Sequence, residues 1–304
     1  MQTRKILSPV NVPDNSPLVS PLIRQGFFAL SGHQVLALDG PEALAFAQAQ
    51  FANDLSALPP GQWQWSAWLN PKGRVIAVFA LLRTGQASLR LLLPDMEADE
   101  LGQDLRRFVF RRKLTISPRP DLYAAAAFAP PALAHGASLA GNEDAALELD
   151  WGAPGLPRSL RLSPAPAAAD AAASQAWAAA DLRLGLPRLP ASQREQWTPQ
   201  QLALDRLAAY SVKKGSYPGQ EIVARTHFLG KAKRSLQCFA AAGPVVAGAS
   251  VRHEAQDVGE VVCVAPDDAR TLLLAVMPLD HAGTGLSAEG HALERLPLYD
   301  GLRR

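Results

Sequence analysis

The apolar run from Val75 to Leu82 stops at Arg83 and lies between two turn signals, Asn70-Pro71-Lys72-Gly73 and Thr84-Gly85. Eight residues are too few to cross a bilayer as a helix, and a short continuous run between turns reads as a strand buried on both faces. Trp63, Trp65, Ala67 and Leu69 alternate with Gln62, Gln64, Ser66 and Trp68 before it, and Ala87–Leu93 follows as an antiparallel partner. Strands that pair through tight turns, with no helix between them, exclude a doubly wound parallel sheet.

Helices are expected on either side of this unit. Asp39 reads as an N-cap, with Pro41 and Glu42 in the first turn and Leu44, Ala47, Phe51 and Leu55 on one buried face. Asp95 reads as a second cap, with Met96, Leu101, Leu105 and Val109 inward and Arg111, Arg112 and Lys113 at the C-terminal end. With Arg106 and Arg107 those cations form a basic cluster, read as a solvated face. Leu114–Ile116, Leu122–Phe128, Ala145–Trp151 and Ser159–Leu162 are strand candidates, Ala129–Asn142 a surface connection, and 166–180 an Ala-rich helix containing Trp177. Residues 1 to about 25, rich in Pro, read as an arm on the surface. From Leu236 short alternating segments separated by Gly243-Pro244, Gly248, Asp267-Asp268 and Gly283 indicate a small β-barrel or sandwich. The class is α+β, with a boundary near residue 236.

Composition narrows the function classes. The 304 residues are 48% apolar and carry a formal net charge of +2, which excludes a polybasic nucleic-acid tail and an acidic solvating domain. Cys238 and Cys263 are too few for a disulfide scaffold or a four-thiolate metal site. Two free thiols in a reducing compartment are expected, a single bridge being the alternative. No His/Cys cluster has metal spacing, so no metal is expected. No apolar segment follows Arg4 and Lys5, so a cytoplasmic protein without membrane association is expected.

The chemistry concentrates in KKGSYPGQEIVARTHFLGKAKR, Lys213 to Arg234, which holds Lys213, Lys214, Arg225, Lys231, Lys233 and Arg234 against the single acid Glu221. Gly215, Pro218 and Gly219 force a tight backbone between the lysines and Glu221. A turn flanked by cations can bind a multiply anionic ligand through charge-assisted bonds, or can be a solvated charged loop.

The order of residues resembles the signature of the YgfZ-type folate-binding proteins, K-G-C-Y-x-G-Q-E with an Arg four positions after the Glu. The match covers Lys214, Gly215, Tyr217, Gly219, Gln220, Glu221 and Arg225, and continues upstream through DLRLGLP (Asp181–Pro187), Pro199 and Leu202. GPEALAFAQAQFANDL and LNPKGRV resemble the family's first helix and following hairpin, so nearly the whole chain is covered. The resemblance implies a two-lobed folate-binding region over 1–235, with ferredoxin-like mixed sheets in lobes of roughly 26–120 and 121–235. This region is related to the T-protein of the glycine cleavage system, and a barrel follows over 236–304. Tetrahydrofolate or a derivative would lie in the central cavity. The implied role is support of iron–sulfur cluster assembly or repair, with iron–sulfur proteins as partners and effects on cluster-dependent tRNA-modifying enzymes.

Within that resemblance, Lys213, Lys214 and Arg225 would attract the glutamate tail. Tyr217 would stack on the ligand or pack on its own loop, and Gln220 and Glu221 would bond pterin nitrogens or brace the loop through Lys214 or Arg225. Asp181 and Arg183 would orient the Gly-Leu-Pro turn or form a helix-end ion pair, and Trp177 would line the cavity or the core. Two departures stand out. Ser216 replaces the signature Cys, and a Ser hydroxyl is neither appreciably ionised near neutral pH nor a good soft-metal ligand. Ala77 and Val78 stand where T-protein-like enzymes carry a strand Asp, and no Asp or Glu occurs from Gly73 to Leu93. Folate binding without classical turnover is therefore expected. A folate-dependent aminomethyltransferase or demethylase and an RNA-binding module are the alternatives, with direct nucleic-acid binding disfavoured by the net charge.

Overall fold

The computed structural model describes residues 26–230, 232–281 and 284–304. The expected amino-terminal arm and Lys231 lie outside the described residues. The first lobe holds β2 (Gln34–Asp39), α1 (Ala43–Gln50), β3 (Gln62–Leu69), β4 (Val75–Arg83), β5 (Ser88–Leu93), α2 (Ala98–Arg106) and β6 (Thr115–Pro118), after a two-residue β1 (Phe28–Ala29). The second holds β7 (Tyr123–Ala127), β8 (Ala140–Asn142), β9 (Ala146–Asp150), β10 (Ser159–Ser163) and α3 (Ala171–Arg183). Then come α4 (Gln220–Phe228) and six strands, β11 (Arg234–Ala241), β12 (Ser250–His253), β13 (Gln256–Asp267), β14 (Arg270–Pro278), β15 (Leu286–Ala288) and β16 (His291–Leu296). The sheets have the orders β3-β4-β5-β2-β6 and β1-β7-β10-β9-β8, and the last six strands close into a barrel, which fits the α+β expectation.

Alternation on β3 places Trp63, Trp65, Ala67 and Leu69 in a core shared with the second lobe and the barrel's outer face. Trp68 turns the other way, into the core beneath α1 and α2. Trp63 stacks on Trp151 at 5.3 Å between ring centroids, and Trp65 meets Trp151 edge-on at 4.8 Å. The Trp65 indole N–H donates to the Leu302 carbonyl at 2.7 Å, so the segment after the barrel is held against the junction of the lobes. β1 pairs antiparallel with β7 of the second lobe although the chain then enters the first.

Neither expected aspartate caps its helix. α1 starts at Ala43 with Glu42 as N-cap, and Asp39 ends β2, paired with Arg90 at 2.8 Å. α2 starts at Ala98 with Glu97 as N-cap and ends at Arg106, before the expected basic end. Asp99 and Glu100 in its first turn and Arg106 in its last suit the helix dipole. Asp170 caps α3 by accepting from the Ala173 N–H at 3.0 Å.

Cys238 and Cys263 are both buried free thiols. Each pairs in register with Leu274, on opposite sides of β14, so a full strand separates them and no disulfide can join them. Burial pushes their thiols up to about 11 and about 12.

Candidate functional site

The signature forms an elbow sewn to the first lobe. The Ser211 hydroxyl accepts from the Lys213 and Lys214 N–H groups at 3.2 and 3.3 Å, and the Tyr217 hydroxyl donates to the Ser211 carbonyl at 3.2 Å. The Lys214 ammonium donates to the carbonyls of Gln48 and Phe51, both at 2.6 Å, and of Asn53 at 3.0 Å. Helix ends leave carbonyls without intrahelical partners, and a cation there also meets the negative end of the dipole. Lys214 thus terminates α1 from far along the chain, with its nitrogen 5.1 Å from the Tyr217 ring centroid. Burial pulls its pKa down to about 8, against the opposing charge of Asp54. Burial likewise pushes the Tyr217 phenol up to about 12.

Glycine is required where the elbow meets the β3–β4 turn. Gly219 has φ +78°, and a Cβ there would sit 2.5 Å from the Gly73 Cα and 2.6 Å from the Asn70 carbonyl oxygen. Facing it, a Cβ on Gly73 (φ +71°) would sit 2.9 Å from the Ile222 Cβ. α4 springs from this contact. Val223 faces inward, while Lys213, Ser216, Glu221 and Arg225 are exposed and Gln220 is half-buried.

The upstream candidates lie elsewhere. Trp177 is fully buried between Phe28 and Phe128, with the Arg158 guanidinium 4.4 Å from its ring centroid, so it is a core residue. Asp181 does not pair with Arg183. It binds Arg158 at 2.7 Å and Arg188 at 3.5 Å, and Arg188 binds Asp95 at 2.6 Å. Arg183 donates to the Tyr299 hydroxyl at 3.0 Å and lies over its ring. Among the described residues no hydrogen bond or ion pair joins the elbow residues to Trp177, Asp181 or Arg183, and neither Glu221 nor Arg225 forms an ion pair, so the expected brace is not made. With its three donors spent on carbonyls, Lys214 is not free to meet a ligand carboxylate.

The chain Arg158–Asp181–Arg188–Asp95 is a feature that sequence reading misses. Burial raises the Asp95 pKa, with Arg188 opposing, whereas burial lowers that of Arg158 against the pull of Asp181. Asp95, with Ala77 and Val78, lines a water-sized recess of about 10 Å³. An acid from beyond β5 therefore stands beside the two apolar residues of β4, but it is engaged by Arg188 and by the Leu189 N–H at 3.2 Å. Nearby His33 is buried, and burial followed by the Arg188 charge holds its pKa well below 6.5. As pH falls through 6.5 the unfolded chain takes a proton that the folded chain refuses. Unfolding free energy should therefore fall with pH in this window, approaching about 1.4 kcal/mol per pH unit. Urea titrations at stepped pH check this, and His33→Phe should remove that part of the slope.

No protein-family model matches the chain. The tRNA-modifying protein YgfZ of Klebsiella pneumoniae (strain 342) is 30% identical over 247 residues, covering 74% of each chain. The chain belongs to the YgfZ family. The tRNA-modifying protein YgfZ of Cronobacter sakazakii (strain ATCC BAA-894) is 29% identical over 297 residues, covering 88% of this chain and 89% of its own. Among solved structures, the glycine cleavage system aminomethyltransferase T from Bartonella henselae superposes with a TM-score of 0.69. The superposition covers 89% of this chain and 84% of that one, and at 17% identity the likeness is one of fold. The YgfZ-type signature is thus carried here with an exposed hydroxyl, Ser216, on the outer side of the elbow. Among the described residues no group of three or more His, Cys, Asp or Glu side chains could hold a metal ion, and no helix is long and apolar enough to cross a membrane.

Proposed function

We propose that this chain is a tetrahydrofolate-binding accessory protein of the cytoplasm that supports iron–sulfur cluster assembly or repair, and through it cluster-dependent enzymes such as those that modify tRNA. Membership of the YgfZ family and the aminomethyltransferase-like fold support the reading. The observation that carries it is the elbow itself. A backbone fixed by Lys214 and the Gly219–Gly73 contact presents Lys213 and Arg225 to solvent with no ion pair of their own among the described residues. Fixed, unpaired cations suit the carboxylates of a polyglutamyl tail. Gln220 and Glu221 are the remaining polar groups on this segment for the ligand, whereas Tyr217 is buried and packs on its own loop.

Iron–sulfur proteins are the partners in this reading, and the role is binding without turnover. The acid beside Ala77 and Val78 is spent on Arg188, which leaves no free carboxylate there for aminomethyl transfer.

Calorimetric titration with tetrahydrofolate and its triglutamate tests the proposal. Binding should tighten with the added glutamates. Lys213→Ala and Arg225→Ala should each weaken the triglutamate about threefold, the scale of an exposed ion pair, and leave the monoglutamate nearly unchanged. Absence of heat from both ligands would overturn folate binding, and equal triglutamate affinity in both variants would overturn the assignment of the tail.

A further inference from the structure

The basic cluster over 106–113 is not the solvated helix face that its sequence suggests. α2 ends at Arg106, and the chain then turns. The N–H groups of Phe108, Val109 and Arg112 donate to the carbonyls of Leu105, Arg106 and Val109 at 3.0, 3.2 and 3.0 Å. The Lys113 N–H donates to the Glu42 carboxylate, so the turn is tied down at both ends. Val109 packs against the core beneath α1 and α2. Phe108 meets Trp68 edge-on at 6.3 Å and stays 40% exposed. Phe110 is 88% exposed and has φ +48°. A bulky residue in the left-handed region is strained, and a ring left in water gains nothing from folding. Gly, Asn or Asp would hold this position with less strain. Both costs fall on one residue, which points to a contact made outside the chain.

We propose that this turn docks the protein on an anionic phospholipid bilayer, with the Phe110 ring entering the headgroup region and Arg111, Arg112 and Lys113 meeting lipid phosphates. Those three side chains are exposed and form no ion pair among the described residues. The acids nearby are engaged by the other two cations, Asp104 by Arg107 at 3.2 Å and Asp99 by Arg106 at 4.0 Å. The local charge is therefore positive although the whole chain is close to neutral.

Shape and chemistry favour a membrane over nucleic acid. Single strands also take rings and cations, but their sites are grooves in which successive bases stack. A ring as exposed as Phe110 stands clear of any protein wall. Residues 106–113 are Phe, Val, Arg and Lys alone, with no amide, hydroxyl or carboxylate for a base edge. A protruding apolar tip followed by unpaired cations suits a charged plane with an apolar interior beneath it. Such a contact lies on the bilayer and does not span it, so the expectation of no membrane association gives way to a peripheral one. No elbow residue takes part, and the inference does not rest on the folate reading.

The test is sedimentation of the full chain with lipid vesicles. Vesicles of phosphatidylglycerol and phosphatidylcholine in equal parts should retain it, and vesicles of phosphatidylcholine alone should not. Retention should fall as salt rises from about 0.1 M to about 0.5 M. Phe110→Asn removes the ring but suits the left-handed backbone, so it should fold and weaken retention by about fivefold or more. Arg111→Glu combined with Arg112→Glu should weaken it by about twentyfold or more, since each cation near such a surface contributes about fivefold. Leu133→Ser, at another exposed apolar side chain, should leave retention unchanged. Absence of retention on the phosphatidylglycerol vesicles, or equal retention of Phe110→Asn and the parent chain, would overturn the proposal. Binding of a single-stranded oligouridine that Phe110→Asn weakens, without binding of vesicles, would also overturn it and assign the turn to nucleic acid.

Discussion

Asp181→Ala should lower unfolding stability by about 3–5 kcal/mol, the largest effect expected of any single substitution at the candidate residues. Arg158 and Asp181 both have fully buried side chains, and the Arg158 Nε and Nη2 already lack partners. Removing the acid strands a guanidinium with no solvent to receive it. In a chain of this length the melting temperature should fall by roughly 10 °C. The cause is separable from lost packing. Asp181→Asn keeps an acceptor for Arg158 and should cost less. Arg158→Met combined with Asp181→Leu removes both charges and should recover most of the loss, because an apolar pair of similar volume is often neutral or stabilising. Scanning calorimetry of the single and double variants decides the matter. Equal destabilisation of both would mean that the ion pair is not the source.

Gly219→Ala should cost about 3 kcal/mol or more, combining a left-handed backbone with a methyl group driven into the Gly73 backbone. The damage should be local first, with amide exchange in 213–228 accelerating before the barrel loosens. Gly215→Ala is the matched control in the same loop. A Cβ there meets nothing within 4 Å, so its effect should stay within about 0.5 kcal/mol.

Where the sequence was readable, the cause was periodic burial. The alternation of Trp63 and Trp65 on β3, the run Val75–Leu82 and the change of texture ahead of the barrel each follow from which faces meet a core. The elbow was legible through its resemblance to the YgfZ-type signature, carried by Lys214, Tyr217, Gly219 and Gln220. Partnership across the chain was not legible. Asp181 and Arg183 are neighbours in sequence, but two steps along a helix point side chains apart, and each found a partner elsewhere. Asp39 and Asp95 stand before helices as caps do, yet arginines brought in by tertiary packing claim both. Lys214 reads as a ligand cation, but its nitrogen is bound to carbonyls more than 160 residues away in sequence. Local patterns give elements, whereas ion pairs between distant segments depend on how those elements pack.

The short β1 also bears on how the protein could be divided. Phe28 and Ala29 supply an edge of the second sheet from a position ahead of the whole first lobe. A fragment beginning at residue 121 would leave β7 with bare amides and carbonyls along that edge, a template for aggregation. Supplying the missing strand in trans, as a synthetic peptide spanning 26–30, should restore solubility to such a fragment, so the molecule lends itself to split-protein complementation.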